Sequence, residues 1–285
     1  MVKQSEIGRV AEWLKAPVLK TGVRESVPGV RIPPRPLIPA DALDLRPILW
    51  HSRGMILNSS PTTPQRLHTL AKEILGELRE QPAAAAFILG GGVALQHYCE
   101  YRDTRDIDAW WATLPSADAE SLLLGVMEKV GTRHDLSLRV RNWGETQSYE
   151  LQQAGQTVFS FQVAVRSVSL EPPRASAWPP VQIETLLDNI GAKMNALVGR
   201  GAPRDFLDVF TVVERGLATV EELWGAWSRK NPGQEVVEAN VNVLRRLHEL
   251  EVRRPLDSIA DEAERANAAK LRAWVISNLC QKEPS

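Results

Sequence analysis

The sequence predicts an α/β (α+β) fold, in which a mixed sheet with flanking helices is followed by an all-α C-terminal domain. Two patterns predict it. Residues 87–111 read as a strand, a run of glycines, a helix and a second strand, and residues 136–170 alternate polar and apolar side chains as antiparallel strands do. Beyond residue 183, apolar residues recur at the spacing of helices that bury one face.

The individual elements follow from the same periodicities. Strands are predicted at 83–90, 104–111, 136–143, 148–155 and 156–170, with a turn at Ala154 and Gly155 between the last two. Helices are predicted at 63–78, 93–101, 117–131, 183–198, 203–215, 220–229 and 235–252, and a final one ends at Trp274. The proline-rich segment 171–180 predicts a linker, which divides the chain into domains at 55–172 and 181–285.

The composition excludes several classes of protein. With 285 residues, of which 44% are hydrophobic, the chain is long enough for a packed core and two domains. Its net charge is −1, so any basic surface for nucleic acid must be local. Its two cysteines, Cys99 and Cys280, have no metal-ligand spacing, and no segment reads as a membrane span or a signal peptide. These features predict a cytoplasmic protein without structural zinc or a disulfide framework.

The first 54 residues differ from the rest of the chain. Residues 1–53 hold seven of the 19 prolines and nine Lys and Arg against five Asp and Glu, a composition typical of a basic, flexible arm. A second interpretation is preferred, because residues 8–36 resemble the forward translation of a bacterial serine-tRNA gene. Translation would then start at Met55 rather than Met1, and segment 1–54 would take no part in the fold.

Three consecutive glycines follow the first predicted strand and precede a helix. Gly90, Gly91 and Gly92 allow the backbone to approach a ligand closely, and the free N–H groups at the start of a helix attract anions. The segment is not a P-loop, since no Gly-Lys-Ser/Thr follows, and it does not match the dinucleotide fingerprint. Taken alone, such a run is more often a tight turn than a phosphate site.

Two aspartates lie on the next predicted strand. Asp106 and Asp108 are separated by one residue, so both side chains lie on one face of the strand while Ile107 faces the other way. Two neighbouring carboxylates repel one another unless a cation lies between them, and Mg²⁺ (or Mn²⁺) binds carboxylates while leaving positions for substrate phosphates. A glycine turn 16 residues before such a pair predicts nucleotidyl transfer.

A second group of charged residues lies in the predicted C-terminal helices. Lys193 and Arg200 are seven residues apart and share a helix face, and both suit a triphosphate and the negative charge that develops during transfer. Asp205 and Asp208 lie one turn apart in the next helix. An acid beside Pro203 is also expected from the helix dipole alone, so this group predicts little by itself.

The two groups together resemble the AbiEii-type toxin family, a branch of the nucleotidyltransferase-like superfamily. The first motif of that family is Gly-Gly-x-Ala-Leu followed by Arg-x-Ser/Thr-x-Asp-Ile-Asp, and it matches residues 91–95 and 102–108. The second motif is a lysine, an Ala-Leu, an arginine and then Arg/Lys-Asp-x-x-Asp. It matches Lys193, residues 196–197, Arg200 and residues 204–208. The resemblance spans roughly residues 63–215 and implies a nucleotidyltransferase-like fold.

The resemblance implies a Mg²⁺-dependent toxin that is paired with an antitoxin and takes part in phage defence. Some members of the family transfer nucleotides from an NTP to the 3′ acceptor end of tRNA. By the same resemblance Asp106 and Asp108 hold the metal. Lys193 and Asp205 complete the catalytic residues, with Asp208 an equally good partner for the lysine. The residues expected to bind the nucleotide are Gly91, Gly92, Thr104, Arg105, Arg200 and Arg204.

One departure concerns the third carboxylate, which many polymerase-type sites take from a neighbouring strand. The strand expected there, VFSFQVAV, offers the amide of Gln162 instead. An amide binds Mg²⁺ more weakly than a carboxylate, so either the site works with one firmly held metal or Asp205 supplies the missing charge. Two alternatives stay open: the same chemistry on a protein or small-molecule (aminoglycoside-like) acceptor, and a catalytically degenerate module that binds nucleotide without turnover.

Overall fold

A computed structural model of the chain describes residues 59–166 and 168–280. Segment 1–54 and the proposed start at Met55 lie outside these residues. The described part of the chain contains one mixed sheet of seven strands and eight α-helices. The predicted fold class, α/β with a mixed sheet and flanking helices, is therefore confirmed.

The strands of the sheet include five of ordinary length and two short ones. They are β1 (Phe87–Gly90), β2 (Asp106–Trp111), β3 (Ser137–Trp143), β4 (Thr146–Gln153), β5 (Gln156–Ala164), β6 (Arg174–Ala175) and β7 (Gln182–Ile183). Their order across the sheet is β3-β4-β5-β2-β1-β7-β6. β2 is parallel to β5 and β1 is parallel to β7, whereas the other neighbours are antiparallel.

The helices lie on the sheet and in the C-terminal part of the chain. They are α1 (Thr69–Leu78), α2 (Gly91–Gln96), α3 (Ala117–Arg133), α4 (Leu186–Gly199), α5 (Pro203–Glu214), α6 (Val220–Lys230), α7 (Val236–Arg253) and α8 (Glu262–Trp274). Local capping explains several of their starts. At α6, for example, Thr219 accepts a hydrogen bond from Glu222 N and Glu222 accepts one from Thr219 N.

Two hydrophobic cores stabilise these elements. The first lies between one face of the sheet and the helices α1 and α3, and it buries Ile107 and Phe161 completely. The second lies among the C-terminal helices around Met194 and Phe206. Leu95 of α2 belongs to the second core, although α2 follows directly on β1. The glycine turn therefore lies where the two cores meet.

β2 alternates between the two faces of the sheet. Its residues 107, 109 and 111 are buried in the first core, and residues 106, 108 and 110 are half-buried on the opposite face. Arg204 of α5 reaches Asp106 on that opposite face. The sheet thus separates an apolar side, which stabilises the fold, from a polar side that the C-terminal helices approach.

Several element boundaries differ from the predictions. Residues 83–86 were expected to begin a strand but belong to a 3₁₀-helix (Pro82–Ala86), since Pro82 has no N–H for a strand ladder and four alanines offer little apolar surface to a sheet. The helix expected at 93–101 ends at Gln96, whose side-chain amide donates to the carbonyl of Arg102 (2.8 Å). The chain turns there instead of continuing as a helix.

The proline-rich segment 171–180 is part of the sheet rather than a free linker. Arg174–Ala175 pairs with Gln182–Ile183, which in turn pairs with β1. Strands of two residues are too short for an alternating pattern to reveal them. The division into domains at 55–172 and 181–285 stays a prediction.

Within the described ranges, no helix combines the length and the apolar character that crossing a membrane requires.

Candidate active site

The glycine turn lies directly against the carboxylates of β2. Gly90 pairs with Asp108 in the β1–β2 register, and Gly91 has a φ of +58°. A Cβ on Gly91 would lie 2.0 Å from Oδ2 of Asp108, and one on Gly92 would lie 3.0 Å from Oγ1 of Thr104. Any side chain at Gly91 would therefore displace the carboxylate, which is why a glycine is required there.

Asp106 and Asp108 lie side by side on β2 but differ in their partners. Asp106 accepts hydrogen bonds from the hydroxyl of Thr104 and from Nη1 of Arg204, the latter at 3.2 Å. No described residue donates a hydrogen bond to the Asp108 carboxylate or forms an ion pair with it. The charge of Asp108 is therefore opposed only at longer range, by Lys193, Arg204 and Arg200.

The pKa values of the two carboxyls reflect this difference. Burial and the neighbouring charge of Asp106 raise the pKa of Asp108 to about 6. Burial would also raise the pKa of Asp106, but the charge of Arg204 and the hydrogen bond from Thr104 hold it below its ordinary value. Asp108 is the group that a cation would stabilise most.

The neighbouring strand has an amide beside Asp108. The β2–β5 register pairs Asp108 with Gln162 and Asp106 with Ser160, so no acid stands next to the pair on β5. Over the ranges 59–166 and 168–280, no group of three or more His, Cys, Asp and Glu residues is placed to hold a metal ion.

Asp208 of α5 is completely buried and lies at the centre of a network of donors. It accepts hydrogen bonds from Nε and Nη2 of Arg102 (2.8 and 3.0 Å) and from the hydroxyl of Tyr101. Nζ of Lys193 lies 2.7 Å from its Oδ2. Burial opposes ionisation, but Arg102 and Lys193 hold the pKa of Asp208 well below its usual range. Lys193 is thus paired with Asp208 rather than with Asp205.

Asp205 is paired with Arg200, another residue of the predicted site. Nε and Nη2 of Arg200 each lie 2.9 Å from the Asp205 carboxylate, which also accepts a hydrogen bond from Ala202 N at 2.9 Å. The last contact closes the first turn of α5, as expected for an acid at this position. Asp205 therefore has a structural role whatever it does in catalysis.

The remaining predicted residues divide between the site and the surface. Thr104 is buried against Asp106, and Arg204 is 38% exposed and reaches the same carboxylate. Arg105 is exposed. Although Arg105 directly precedes Asp106 in the sequence, none of the described hydrogen bonds or ion pairs joins it to Asp106 or Asp108.

Sequence reasoning missed Asn189 and Glu184. Nδ2 of Asn189 donates to the carbonyl of Gly91 (2.9 Å) and to Oε1 of Glu184 (2.6 Å), and Nε1 of Trp110 donates to Oε2 of Glu184 (3.1 Å). The hydrogen bond from Asn189 connects the glycine turn to α4, and Glu184 connects Asn189 to Trp110 of β2. A signal was available for Asn189, which precedes Lys193 by four residues and so shares its helix face.

A mixed sheet with a glycine turn beside two aspartates on the adjacent strand is the arrangement expected of a nucleotidyltransferase. The family model for the nucleotidyl transferase AbiEii toxin, type IV TA system, matches residues 73–274, well over half of the chain, and the chain belongs to this family. No curated protein and no solved structure matches the chain. Membership implies an NTP substrate and a cognate antitoxin of a type IV toxin–antitoxin system.

Proposed function

We propose that the chain transfers a nucleoside monophosphate from an NTP to the 3′ hydroxyl of an RNA, with tRNA as the acceptor, in a Mg²⁺-dependent reaction. The observation that supports this most directly is the carboxylate of Asp108, which lies between Asp106 and Gly91 and accepts no hydrogen bond from the side chains that the structure describes. As the toxin of its pair, the protein would block translation in the cytoplasm and act in phage defence.

The residues present fit the divalent metal that the family implies. The Asp106 and Asp108 carboxylates would hold it, with the Gln162 amide beside them, and all three offer the oxygen ligands that Mg²⁺ prefers. The observation behind this fit is that the Asp108 carboxylate lies against Gly91 and beside Asp106 and accepts no hydrogen bond from a described side chain. When bound, the metal neutralises negative charge on the phosphates.

The transfer itself is a displacement at the α-phosphorus of the NTP. The acceptor hydroxyl forms a new P–O bond, the bond from the α-phosphorus to the bridging oxygen breaks, pyrophosphate leaves and the hydroxyl proton passes to water. Gly91 and Gly92 leave room for the triphosphate beside the carboxylates. The chain's contribution is to position the two reactants in line.

Lys193 and Arg200 stabilise the phosphates in this proposal while keeping their carboxylate partners. An ammonium has three N–H donors and a guanidinium has five, so the contacts to Asp208 and Asp205 leave donors unused. The carboxylates hold the two cations in place. Asp208 is then a positioning residue for Lys193, and Asp205 is one for Arg200.

The test is the incorporation of labelled nucleotide, with purified protein, each NTP separately, total tRNA and Mg²⁺. Asp108→Asn is compared with Asp118→Asn, which makes the same chemical change in the exposed first turn of α3. We expect label in RNA with the wild type and with Asp118→Asn, and none with Asp108→Asn. Equal labelling by all three proteins would overturn the site assignment.

One observation favours a second candidate function. Because Gln162 stands beside Asp108 where a carboxylate would strengthen metal binding, a module that binds nucleotide without turnover is the main alternative. Nucleotide binding with no label in RNA, protein or an aminoglycoside-like acceptor would support that alternative. Label in protein or in the small molecule would instead keep the chemistry and change the acceptor.

A further inference from the structure

The edge strand β3 lies in register with the carboxylates of β2. Asp108 pairs with Gln162 on β5, and Gln162 pairs with Ser148 on β4. Ser148 in turn pairs with Arg141 on β3. Residues in register on neighbouring strands have their side chains on the same face of the sheet. Arg141 therefore lies on the face of Asp108, three strands away.

The side chains of β3 on this face are basic and aromatic. Arg139 is exposed, the Arg141 guanidinium lies 5.4 Å from the centre of the Trp143 ring, and Trp143 is 45% exposed. The helices α1 and α3 cover the opposite face. Arginines beside an exposed aromatic ring are typical of surfaces that bind single-stranded nucleic acid, since the arginines contact phosphates and the ring stacks on a base.

One acid lies on the same face near these arginines. Glu150 pairs in register with Arg139, and its Oε1 lies 3.6 Å from Nη1 of Arg141. Glu150 is 8% exposed and accepts further hydrogen bonds from Gln152 and Thr157. Two arginines against one largely covered glutamate leave this part of the face positive, and the Arg141 guanidinium keeps donors for a phosphate.

The row between the carboxylates and β3 also contains a buried hydroxyl with no partner. Ser148 is completely buried, and its Oγ has no hydrogen-bond partner among the described residues. Buried hydroxyls are usually hydrogen-bonded. Because Ser148 has no accessible surface, an RNA strand on this face would lie over the side chains that cover Ser148 rather than contact its hydroxyl.

The separation between Asp108 and Arg141 suits a short stretch of nucleic acid. Strands lie about 4.8 Å apart, so three spacings amount to about 14 Å. Stacked bases rise about 3.4 Å each and an extended strand rises more, so this separation corresponds to roughly two to four nucleotides. A strand whose 3′ hydroxyl lies at Asp108 would place those nucleotides on β3.

We propose that β3 binds the acceptor as single-stranded RNA, roughly two to four nucleotides before its 3′ end. Arg139 and Arg141 contact its phosphates, and Trp143 stacks on one of its bases. This inference rests on the proposed function, because the acceptor end must reach Asp108. It adds a surface that selects a flexible RNA end over a duplex or a small molecule.

The test uses the full chain and a short single-stranded RNA with a free 3′ hydroxyl. Binding is measured by fluorescence anisotropy at several salt concentrations in the Asp108→Asn background, and transfer kinetics are measured with otherwise wild-type protein. The variants are Arg141→Ala and Trp143→Ala. Their controls are Arg253→Ala on α7, whose side chain is 75% exposed, and Val140→Ala on the other face of β3.

We expect Trp143→Ala to weaken RNA binding and to raise KM for RNA by between about 5-fold and 150-fold, the range for loss of one stacked base. Arg141→Ala should weaken binding and reduce the slope of log affinity against log salt by about one. In both variants kcat at saturating RNA should stay at the wild-type value. Both controls should stay within about twofold of the wild type for binding and KM.

The outcomes separate this inference from the proposed function. If the wild type labels RNA while Arg141→Ala and Trp143→Ala behave like the controls, β3 is not the RNA path and the transfer reaction stands. If RNA binds through β3 but no RNA is labelled, β3 is an RNA-binding surface and the proposed transfer reaction is wrong. If the wild type neither binds nor labels RNA, both are wrong.

Discussion

The site contains two pairs of aspartates that differ in how their charge is compensated. On α5, Asp205 and Asp208 are buried, and each of their carboxylate oxygens accepts at least one hydrogen bond or ion pair. On β2, the Asp106 carboxylate has Thr104 and Arg204 as partners, whereas the Asp108 carboxylate has no hydrogen-bond donor among the described residues. Both pairs have the same residue type and lie beside the same cluster of arginines and lysine.

The two pairs differ in whether partners within the chain compensate the charge of each carboxylate. Burying a charge costs free energy unless a partner compensates it, and α5 supplies those partners from within the chain. β2 supplies them for Asp106 only, so the charge of Asp108 remains a cost in the unliganded protein. A cation from solution would remove that cost, which is why we propose that the chemistry takes place at β2.

The largest change is expected from Asp208→Asn, which leaves Arg102 and Lys193 buried without their counter-charge. The free energy of unfolding should fall by about 3–5 kcal/mol, the cost of breaking a buried ion pair from one side. Chemical denaturation measures it, with Asp118→Asn as the control for an exposed acid. A loss below about 1 kcal/mol would mean that the network contributes little to stability.

The stabilisation by Asp208 should also depend on pH. The pKa of Asp208 is lowered in the folded protein, so its contribution is complete above the ordinary carboxyl pKa of about 3.9 and is lost as pH falls towards the folded value. The difference in unfolding free energy between the wild type and Asp208→Asn should shrink as pH falls below about 4. A constant difference from pH 6 down to about pH 3 would contradict this assignment.

Asp108→Asn should do the opposite of Asp208→Asn. Because it removes one of two neighbouring like charges, the unfolding free energy should be unchanged or higher, while kcat for nucleotide transfer falls by at least about 100-fold. Calorimetric titration with Mg²⁺ gives a readout besides activity, and the variant should bind the ion more weakly. Reduced stability with intact Mg²⁺ binding would place Asp108 with the structural acids.

Gly91→Ala tests the contact between the glycine turn and the carboxylate. Gly216 is a matched control, because it has a φ of +66° and no atom within 4 Å of an added Cβ, whereas a Cβ at Gly91 would lie 2.0 Å from Asp108. Gly216→Ala should cost about 1 kcal/mol of backbone strain, and Gly91→Ala about 1–3 kcal/mol. Only Gly91→Ala should reduce Mg²⁺ binding and transfer. Equal effects of the two variants on Mg²⁺ binding and transfer would show that backbone strain, and not contact with the Asp108 carboxylate, causes the loss.

The smallest effect is expected from Arg204→Ala. Arg204 is 38% exposed, so the loss of its ion pair with Asp106 should cost less than about 1 kcal/mol of stability. Removing this cation should tighten Mg²⁺ binding by up to about 5-fold in the absence of nucleotide. NTP affinity should fall, because a phosphate donor is lost. Calorimetry measures both, and weaker Mg²⁺ binding would contradict the idea that Arg204 and the metal share a charge site.

Part of the site could be predicted because it depends on local sequence. The strand at Asp106–Trp111 and the glycines at its antiparallel neighbour follow from the period of two and from the run of three glycines. The helices that contain Lys193 and Asp208 also follow from apolar spacing. The partners of each charge could not be predicted this way. Sequence reasoning left both Asp205 and Asp208 open as partners of Lys193, whereas the structure pairs Lys193 with Asp208 and Asp205 with Arg200.

The sequence alone determined the α/β architecture, the two aspartates on one strand face and the resemblance to the family, since periodicity and motif spacing are properties of neighbouring residues. Only the tertiary structure decided which cation meets which carboxylate, how Asn189 holds the glycine turn, and that β6 and β7 complete the sheet. The physical reason is the separation of the partners along the chain. Arg204 and Asp106 are 98 residues apart, Arg102 and Asp208 are 106 apart, and packing of the C-terminal helices on the sheet brings them together.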